Sequence, residues 1–391
     1  MKIVYCLDGI CGRGGIGMVT CAKANALAHG GNEVYIIVTD HDCEKCPPLN
    51  GVHLVDLDVN LWDNDSAGLL YYISLKARKK RQLHRQRLEN KLNEIQPDIV
   101  ISVGWSEKYI IPIISENKPW VTIREWHYNR NYRFDAAKYE GGNKFNAYLR
   151  ALLAELYEWF RGGDLYDHTV VLTQQDKIEN WKNNQQISVI PNPSTFQTNI
   201  YTNYGNRVVL TASRLHQSKQ IDHIIRAWSR IKTEASDWKL YIYGEGPDRL
   251  RLESLIMDLQ LSDHVILKGC SYDMANDLSA GDFFVFTSAF EGFGIVLVEA
   301  MTCGLPCISY ACPCGPADII SHFKDGVLVP LNDEKQLSQE ILNLINSPET
   351  LHLWGKEAKL KSAQYTPSHI VKSFWIPLFQ RLIAEKCSKF Y

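Results

Sequence analysis

Short apolar runs alternate with helix-length segments along the whole chain. In the first half the runs are KIVYCL, EVYIIVTD, PDIVISVG and KPWVTIREW, and an amphipathic stretch at 18–29 separates the first two. In the second half they are RVVLTASRL, WKLYIYGEG, HVILKGC, DFFVFTS and LPCISYAC. Strands that alternate with helices form parallel sheets with helices on both faces. The pattern therefore predicts an α/β fold.

The pattern starts twice, and a segment with little apolar periodicity separates the two halves. This segment, VIPNPSTFQTNIYTNYGN, is rich in proline, glycine and asparagine, which indicates a linker. We predict two Rossmann-like domains, at 1–190 and 207–370, joined by a linker at 191–206. A final helix at 371–391 is expected to cross back to the first domain. Two such sheets in tandem create one central cleft between the carboxyl ends of their strands.

Composition and charge narrow the class of protein. The chain has 391 residues, 45% of them hydrophobic, which is enough for two cores. Its net charge of −2 implies no nucleic-acid partner. The apolar runs are too short for a signal peptide or a membrane span, so we expect a soluble or peripherally attached protein. Eleven cysteines, without regular spacing, are expected to be reduced cytoplasmic thiols.

The glycine-rich loop after the first apolar run has the spacing of a dinucleotide site. Glycines in the order G-x-G-x-x-G begin at Gly12, and Asp40 ends the next strand, where a ribose-binding acid could sit. Residues 8–11, however, separate the strand from this loop, whereas the fingerprint needs its first glycine at the strand end. An NAD-dependent oxidoreductase is therefore kept as an alternative. Gly14 and Gly15 can also bring backbone N–H groups close to a phosphate or a sugar.

The most informative stretch is TSAFEGFGIVLVEAMTCGLPCISY, at 287–310. Glu291 follows a predicted strand, and Glu299 lies in a predicted helix that Gly304 closes. At about 1.5 Å per helical residue the two carboxylates are at most about 12 Å apart, which matches the reach from a ribose to a sugar across a diphosphate. The N–H groups of residues 293–296 favour a phosphate between them. The alternative is a helix cap and a buried helix residue.

Two cations follow the first strand of the second half. Arg214 offers a planar fork for phosphate oxygens, and Lys219 offers a compact point charge. Together they could neutralise a departing diphosphate without a metal. The alternative is that they are exposed cations at the start of a helix.

Three short motifs have the spacing of metal ligands. They are the D-x-D pairs at 56–58 and 63–65 and the C-x-x-C at 43–46. Two-carboxylate spacings this short are common by chance, and no second cysteine pair follows at zinc-site spacing. We therefore expect no metal site.

The strings R-L-x-x-x-K at 214–219 and E-G-F-G-I-V-L-V-E-A-M-x-C-G-L-P from Glu291 resemble the retaining glycosyltransferases of family four, the glycosyltransferase group 1 type. YGEGPDRLRLESL, VILKG and CPCGPADII are also similar to that family. The resemblance covers 207–330 strongly and the first half loosely. It implies the GT-B fold and transfer of a hexose or N-acetylhexosamine from a nucleoside diphosphate sugar, with UDP favoured, with retention and without a cofactor. A sugar-nucleotide epimerase of the same fold is the other alternative.

The resemblance also implies roles for individual residues. Arg214 and Lys219 would hold the donor diphosphate, Glu291 would contact the transferred sugar, and Glu299 would bind the ribose hydroxyls. His127, which follows the run ending in REW, would lie near the donor sugar and complete the catalytic set. The other donor-site residues are Gly14 and Gly15 in the first loop, Gly294, Ile295 and Val296 at the phosphates, and Gly269, Cys270 and Ser271 against the base.

The sequence departs from the family pattern at two loop positions. Ser213 and Gln220 stand where the family usually has glycine, which affects the detailed geometry of this loop and not the class of protein.

One segment is strongly basic. KARKKRQLHRQRLENK, at 76–91, has eight Lys or Arg residues and one Glu, and LLYYISL at 69–75 adjoins it. A solvated helix face is the usual fate of such a charge run, but the apolar neighbour favours an anionic membrane surface. We therefore expect a cytoplasmic protein, peripheral on the inner face of the cytoplasmic membrane. Its acceptor would be a glycan or lipid-linked molecule in surface polysaccharide assembly.

Overall fold

The computed structural model describes residues 1–10, 15–39, 46–61, 74–160, 165–181 and 186–390. Within these ranges the chain forms two sheets, and every strand pair in them is parallel. The first sheet has the order β3-β2-β1-β4-β5-β6-β7. Its strands are β1 Lys2–Leu7, β2 Glu33–Val38, β3 Val52–Asp56, β4 Ile99–Ser102, β5 Val121–Trp126, β6 His168–Val171 and β7 Ile187–Val189.

The second sheet is built from the C-terminal half of the chain. Its order is β10-β9-β8-β11-β12-β13. The strands are β8 Val208–Ala212, β9 Lys239–Tyr243, β10 Val265–Gly269, β11 Phe283–Phe286, β12 Cys307–Tyr310 and β13 Gly326–Val329.

Helices connect the strands. Those of the first half are α1 Gly15–His29, α2 Leu75–Ile95, α3 Ile111–Ile114, α4 Tyr132–Tyr139, α5 Lys144–Phe160 and α6 Gln174–Asn180. The second half has α7 Ile221–Ile231, α8 Arg249–Asp258, α9 Met274–Ser279, α10 Ile295–Thr302, α11 Pro316–Ile319, α12 Glu334–Ile345 and α13 Pro348–Ser362. After these come α14 Pro367–Ile370 and α15 Ile376–Phe390. Shorter turns are the 3₁₀ segments Gln217–Lys219 and Ala363–Tyr365 and the π segment Val371–Trp375.

The apolar runs become strands because helices cover both faces of each sheet. Strands β4, β5, β8 and β11 are buried at every position, as expected for parallel strands between two helical layers. The predicted α/β fold with two Rossmann-like sheets is thus confirmed. The first helix begins at Gly15, earlier than the predicted 18, because glycines carry no side chain and add nothing to the apolar periodicity that indicated the helix.

The end of the chain returns to the first sheet. Tyr365 still packs in the core of the second half, whereas Ile370, Trp375 and Phe379 lie in the core of the first. Beyond them, the Lys386 ammonium contacts the Asp167 carboxylate at 2.8 Å. The chain therefore crosses back to the first domain slightly before residue 371, at which the sequence predicted the returning helix to begin.

A buried ion pair lies under the first sheet. The side chains of Lys23, on α1, and Glu125, on β5, are each 1% exposed and pair with one another. The Lys23 ammonium also lies 5.1 Å from the ring centre of Trp375, so the returning segment covers the pair. Burial opposes the charged form of Glu125, but Lys23 and His127 outweigh it and lower the pKa of this carboxyl to about 2.

Breaking this pair should destabilise the first domain. Lys23→Met leaves the Glu125 carboxylate buried beside His127 without its cation, and we expect the free energy of unfolding to fall by about 3–5 kcal/mol. Lys23→Met with Glu125→Gln removes the unpaired charge and should recover part of that loss. Urea unfolding followed by tryptophan fluorescence measures both. An equal loss in the single and double variants would contradict the assignment.

Candidate active site

The carboxyl ends of the two sheets meet at one cleft, and the loop after β11 crosses it. A Cβ on Gly292 would overlap the carbonyl oxygen of His127, which follows β5. The Asn129 side-chain amide donates to the carbonyl oxygen of Glu291 at 3.0 Å. These contacts place Glu291 directly against the first domain.

The loop is also fixed to its own domain. The backbone N–H of Glu291 donates to the carbonyl of Pro313 at 3.2 Å, and that of Ala289 donates to Ser218 at 2.8 Å. The Thr287 hydroxyl donates to the carbonyl oxygens of Lys219 and Gln220, at 3.0 Å each. The segment carrying Glu291 and the turn carrying Lys219 are therefore held together before any ligand binds.

Lys219 and Glu291 form an ion pair. The Lys219 ammonium lies 2.5 Å from a carboxylate oxygen of Glu291, and both side chains are partly accessible, 25% and 14%. Arg214 follows β8 on the same side of the sheet and is exposed. The structure thus places a lysine, a glutamate and an arginine at one edge of the second sheet, and their role in a donor site stays a prediction.

Two helices begin at the cleft from opposite domains. Gly294, with φ of 87°, precedes α10, and Ile295 and Val296 form its first turn. A Cβ on Gly15, the first residue of α1, would lie 3.7 Å from Cγ2 of Ile295. Helix N-termini carry partial positive charge and unpaired N–H groups, so this junction suits an anion. Gly14 lies outside the described residues.

Glu299 lies within α10 and is buried. Burial raises the pKa of its carboxyl to about 7, although the Thr195 hydroxyl donates to it at 2.5 Å. Thr195 belongs to the linker, and sequence reasoning missed it because nothing in an irregular segment signals such a contact. Gly304, with φ of 83°, ends the helix as predicted.

The proposed base-binding segment lies further along the second sheet. Gly269 ends β10, which is separated from β11 by β9 and β8. Gly269 has φ of 75°, and its carbonyl accepts the Gly244 N–H at 2.7 Å. Cys270 is exposed, and the Ser271 hydroxyl is buried without a hydrogen-bond partner within the described part of the chain.

His127 connects the cleft to the buried ion pair. Its Nε2 lies 3.3 Å from a carboxylate oxygen of Glu125, whose other partner is Lys23. The imidazole is buried, and its backbone contacts Gly292. The structure therefore brings His127 to the loop that carries Glu291.

Two carboxyl groups at the end of the first sheet were not identified from the sequence. Asp8, after β1, accepts the backbone N–H groups of Trp105 and Ser106 at 3.1 and 3.2 Å. Glu107 is buried and accepts the Gly104 N–H at 2.7 Å. Burial and the charge of Asp8 raise the pKa of Glu107 to about 8, so it is largely protonated at neutral pH.

Of the three candidate metal motifs, only the D-x-D pair at 56–58 lies entirely within the described residues. Asp58 donates its backbone N–H to the Asp56 carboxylate at 2.7 Å and lies 3.7 Å from Arg87. Within the described ranges, no group of three or more His, Cys, Asp or Glu residues could hold a metal ion. Asp63, Asp65 and Cys43 lie outside those ranges. The described helices include none that is both long enough and apolar enough to span a bilayer.

Replacing Glu107 should change how stability depends on pH. Its pKa is raised from the ordinary 4.5 to about 8, so its stabilising contribution is complete below pH 4.5 and is lost as pH rises to 8. Over that window one such group lowers stability by up to about 1.4 kcal/mol per pH unit. Glu107→Gln lacks this loss, so its stability relative to the native chain should rise from pH 5 to 8 and then level off.

Thermal unfolding at several pH values between 5 and 9 measures this difference. Glu116→Gln, at an exposed glutamate in the same region, is the matched control for removal of a surface carboxylate. A flat profile for Glu107→Gln would show that Glu107 is ionised in the folded protein.

Comparison with known proteins shows which family and which fold this chain resembles. Residues 196–361 match the family model described as glycosyl transferases group 1. An uncharacterized glycosyltransferase of Haemophilus influenzae is 24% identical over 95% of this chain and 98% of its own length. An exopolysaccharide phosphotransferase of Streptomyces coelicolor is 33% identical over 56% of this chain, but the match spans only 24% of that protein.

The fold has close solved counterparts. The structure of an S. aureus TarM mutant in complex with Fondaparinux, alpha-GlcNAc-glycerol and UDP superposes with a TM-score of 0.74 at 16% identity, covering 97% of this chain and 99% of that one. The likeness in fold extends over both domains. The comparisons thus place residues 196–361 in the group 1 glycosyl transferases, and the chain as a whole has the two-domain GT-B fold.

Proposed function

We propose that the protein is a retaining glycosyltransferase that moves a hexose or N-acetylhexosamine from a nucleoside diphosphate sugar to a glycan or lipid-linked acceptor. The observation that carries this proposal is the junction at the cleft. There Lys219, Glu291 and the N-termini of α1 and α10 converge. Positive groups from both domains are thus available to a diphosphate, and a carboxylate is available to a sugar.

The Lys219–Glu291 pair is arranged for exchange of partners. When the donor binds, a phosphate oxygen replaces the Glu291 carboxylate at Lys219, and Arg214 approaches the same group. Glu291 is then free to accept hydroxyl groups of the transferred sugar. Backbone N–H groups at Gly294, Ile295 and Val296 complete the phosphate contacts.

The nucleoside would occupy the second domain. Glu299, with a pKa of about 7, can accept and donate hydrogen bonds, which suits two adjacent ribose hydroxyls. The base would lie against Gly269, Cys270 and Ser271. The buried Ser271 hydroxyl is available as a partner for it.

In the reaction the bond between the anomeric carbon and the diphosphate oxygen breaks as the acceptor oxygen approaches from the same face. Lys219, Arg214 and the two helix N-termini stabilise the negative charge that develops on the leaving diphosphate. Because the new bond forms on the face from which the diphosphate leaves, the configuration is retained, and the leaving oxygen takes the proton of the acceptor hydroxyl. His127 and Gly15 face this step from the first domain.

The positive groups already present supply the charge that a divalent ion would otherwise supply, so we propose a reaction without a metal or other cofactor. UDP is favoured as the nucleotide because the TarM structure contains UDP. An acceptor in surface polysaccharide assembly is in keeping with the name of the Streptomyces relative. The epimerase and oxidoreductase alternatives have no support among the proteins compared above.

Ligand binding without metal tests the donor site first. We expect UDP, but not NAD, to raise the thermal unfolding temperature, and GDP to do so less. Arg214→Ala should weaken UDP binding by roughly tenfold or more and lower turnover by about 10²–10³-fold, because a charge-assisted contact to the leaving group is lost. Arg230→Ala, at an exposed arginine of α7, is the control and should behave as the native chain. Stabilisation by NAD alone would make the first glycine loop a dinucleotide site.

The contact between Gly292 and His127 should control activity. A Cβ at Gly292 forces the loop or the domains apart, and a misplacement of about 1 Å can cost roughly 10²-fold in rate. We expect Gly292→Ala to reduce UDP release from UDP-sugars by about that factor, with UDP binding retained. Gly141→Ala, where a Cβ meets nothing within 4 Å, is the matched control. Full activity in Gly292→Ala would show that this contact does not position the reacting groups.

A further inference from the structure

Helix α5 has its large apolar side chains on the outside. Phe145 is 73% exposed and Leu153 is 56% exposed, whereas the buried positions are the small Ala147 and Ala151. This is the reverse of the usual pattern for a surface helix of a soluble protein. The exposed residues, named here the α5 apolar face, are Phe145, Tyr148, Leu149, Leu152, Leu153, Leu156 and Tyr157.

These residues form one stripe. They recur at intervals of three and four, so they lie on the same side of the helix over its length. The acidic residue Glu155 lies away from the stripe, because its carboxylate pairs with Arg130 and Arg133 at 2.5 and 2.6 Å. The stripe thus continues for several turns without interruption by this carboxylate. A patch of this kind on a protein surface marks an interaction site.

The basic helix α2 lies on the same face of the first sheet. α2 leads from β3 to β4, α3 from β4 to β5, and α5 from β5 to β6, all crossing the sheet in one direction. Because such crossovers are right-handed, the three helices lie on the same face of the sheet. One core cluster contains residues of α2 and α3, and it also contains Tyr166, which lies between α5 and β6. The Tyr109 and Tyr157 rings, 5.7 Å apart, join α5 to the loop before α3.

The same face of the sheet carries exposed cations and exposed apolar side chains. The exposed cations of α2 are Lys76, Arg78, Lys79, Arg81 and Arg85. On the same face, Ile113 of α3 is 41% exposed. Leu165, which lies between α5 and β6 in the chain, is 58% exposed. A long apolar stripe and a basic helix on the same face of the sheet are typical of a surface that enters the boundary of an anionic bilayer.

We propose that this face docks on an anionic membrane, with the α5 apolar face inserted at the boundary between headgroups and acyl chains and α2 lying over the headgroups. Charge complementarity selects an anionic lipid surface as the occupant. Both helices begin at the carboxyl edge of the first sheet, beside the cleft. Docking in this way holds the cleft next to the membrane surface, within reach of an acceptor whose headgroup lies there.

Vesicle sedimentation of the full chain tests the proposal. We expect binding to vesicles of phosphatidylcholine with phosphatidylglycerol and weak binding to phosphatidylcholine alone. Phe145→Gln with Leu153→Gln should lower the partition coefficient by roughly tenfold or more, since two large apolar side chains no longer insert. The matched control is Leu250→Gln with Leu360→Gln, which alters leucines that are 79% and 60% exposed in the second domain. It should bind as the native chain.

A second pair of changes tests the charge. Arg78→Gln with Lys79→Gln should remove most of the preference for phosphatidylglycerol, and added salt should have the same effect. Circular dichroism and thermal unfolding verify that each variant is folded. The assay contains no nucleotide sugar, so its result is independent of the proposed transferase reaction.

Three results would overturn the proposal. One is the absence of native-chain binding to phosphatidylglycerol vesicles. Another is equal binding by the α5 variant and its matched control. The third is a native dimer in size-exclusion chromatography with light scattering that the α5 changes convert to a monomer without changing vesicle binding, since the face would then bind a second copy of the chain.

Discussion

The close approach of Gly292 to the backbone of His127 is the contact on which the cleft depends. Only a residue without a side chain permits it, and it brings the end of β5 within reach of the loop after β11. The Asn129 amide then bonds to the carbonyl of Glu291, and the N-termini of α1 and α10 come together beside it. Without that approach the cations of the second domain would face water instead of the first domain.

Charge in the cleft is compensated before any ligand arrives. Lys219 is paired with Glu291, and Glu125 is paired with Lys23 and adjoins His127. Desolvated charges are costly when they are alone, so the pairing keeps the site stable in the free protein. The two pairs differ in access. The Lys219 pair is partly open and can exchange partners, whereas the Lys23 pair is closed and supports the strand that carries His127.

Much of this architecture could be predicted from the sequence. Parallel sheets covered on both faces require continuous apolar strands, and those are visible in the order of residues. That Lys219 and Glu291 lie at one edge of the second sheet could also be predicted, because strand ends of a parallel sheet share one edge. The Glu299–Thr195 and Glu125–Lys23 contacts could not, because they join residues far apart in the chain through tertiary packing. Periodicity gives the stripe of α5 but does not say whether that stripe faces the core or the solvent.

The returning C-terminal segment has a consequence for how the two domains can move. The chain passes between them twice, and the two passages run side by side, where the Ser194 N–H donates to the carbonyl of Tyr365 at 2.8 Å. Two adjacent connections act as a hinge. They permit rotation of the domains about the line that they share, and they resist sliding of one domain along the other. Opening the cleft for a ligand therefore needs only a rotation about this line. Closing the cleft brings the same residues of the two domains back into contact.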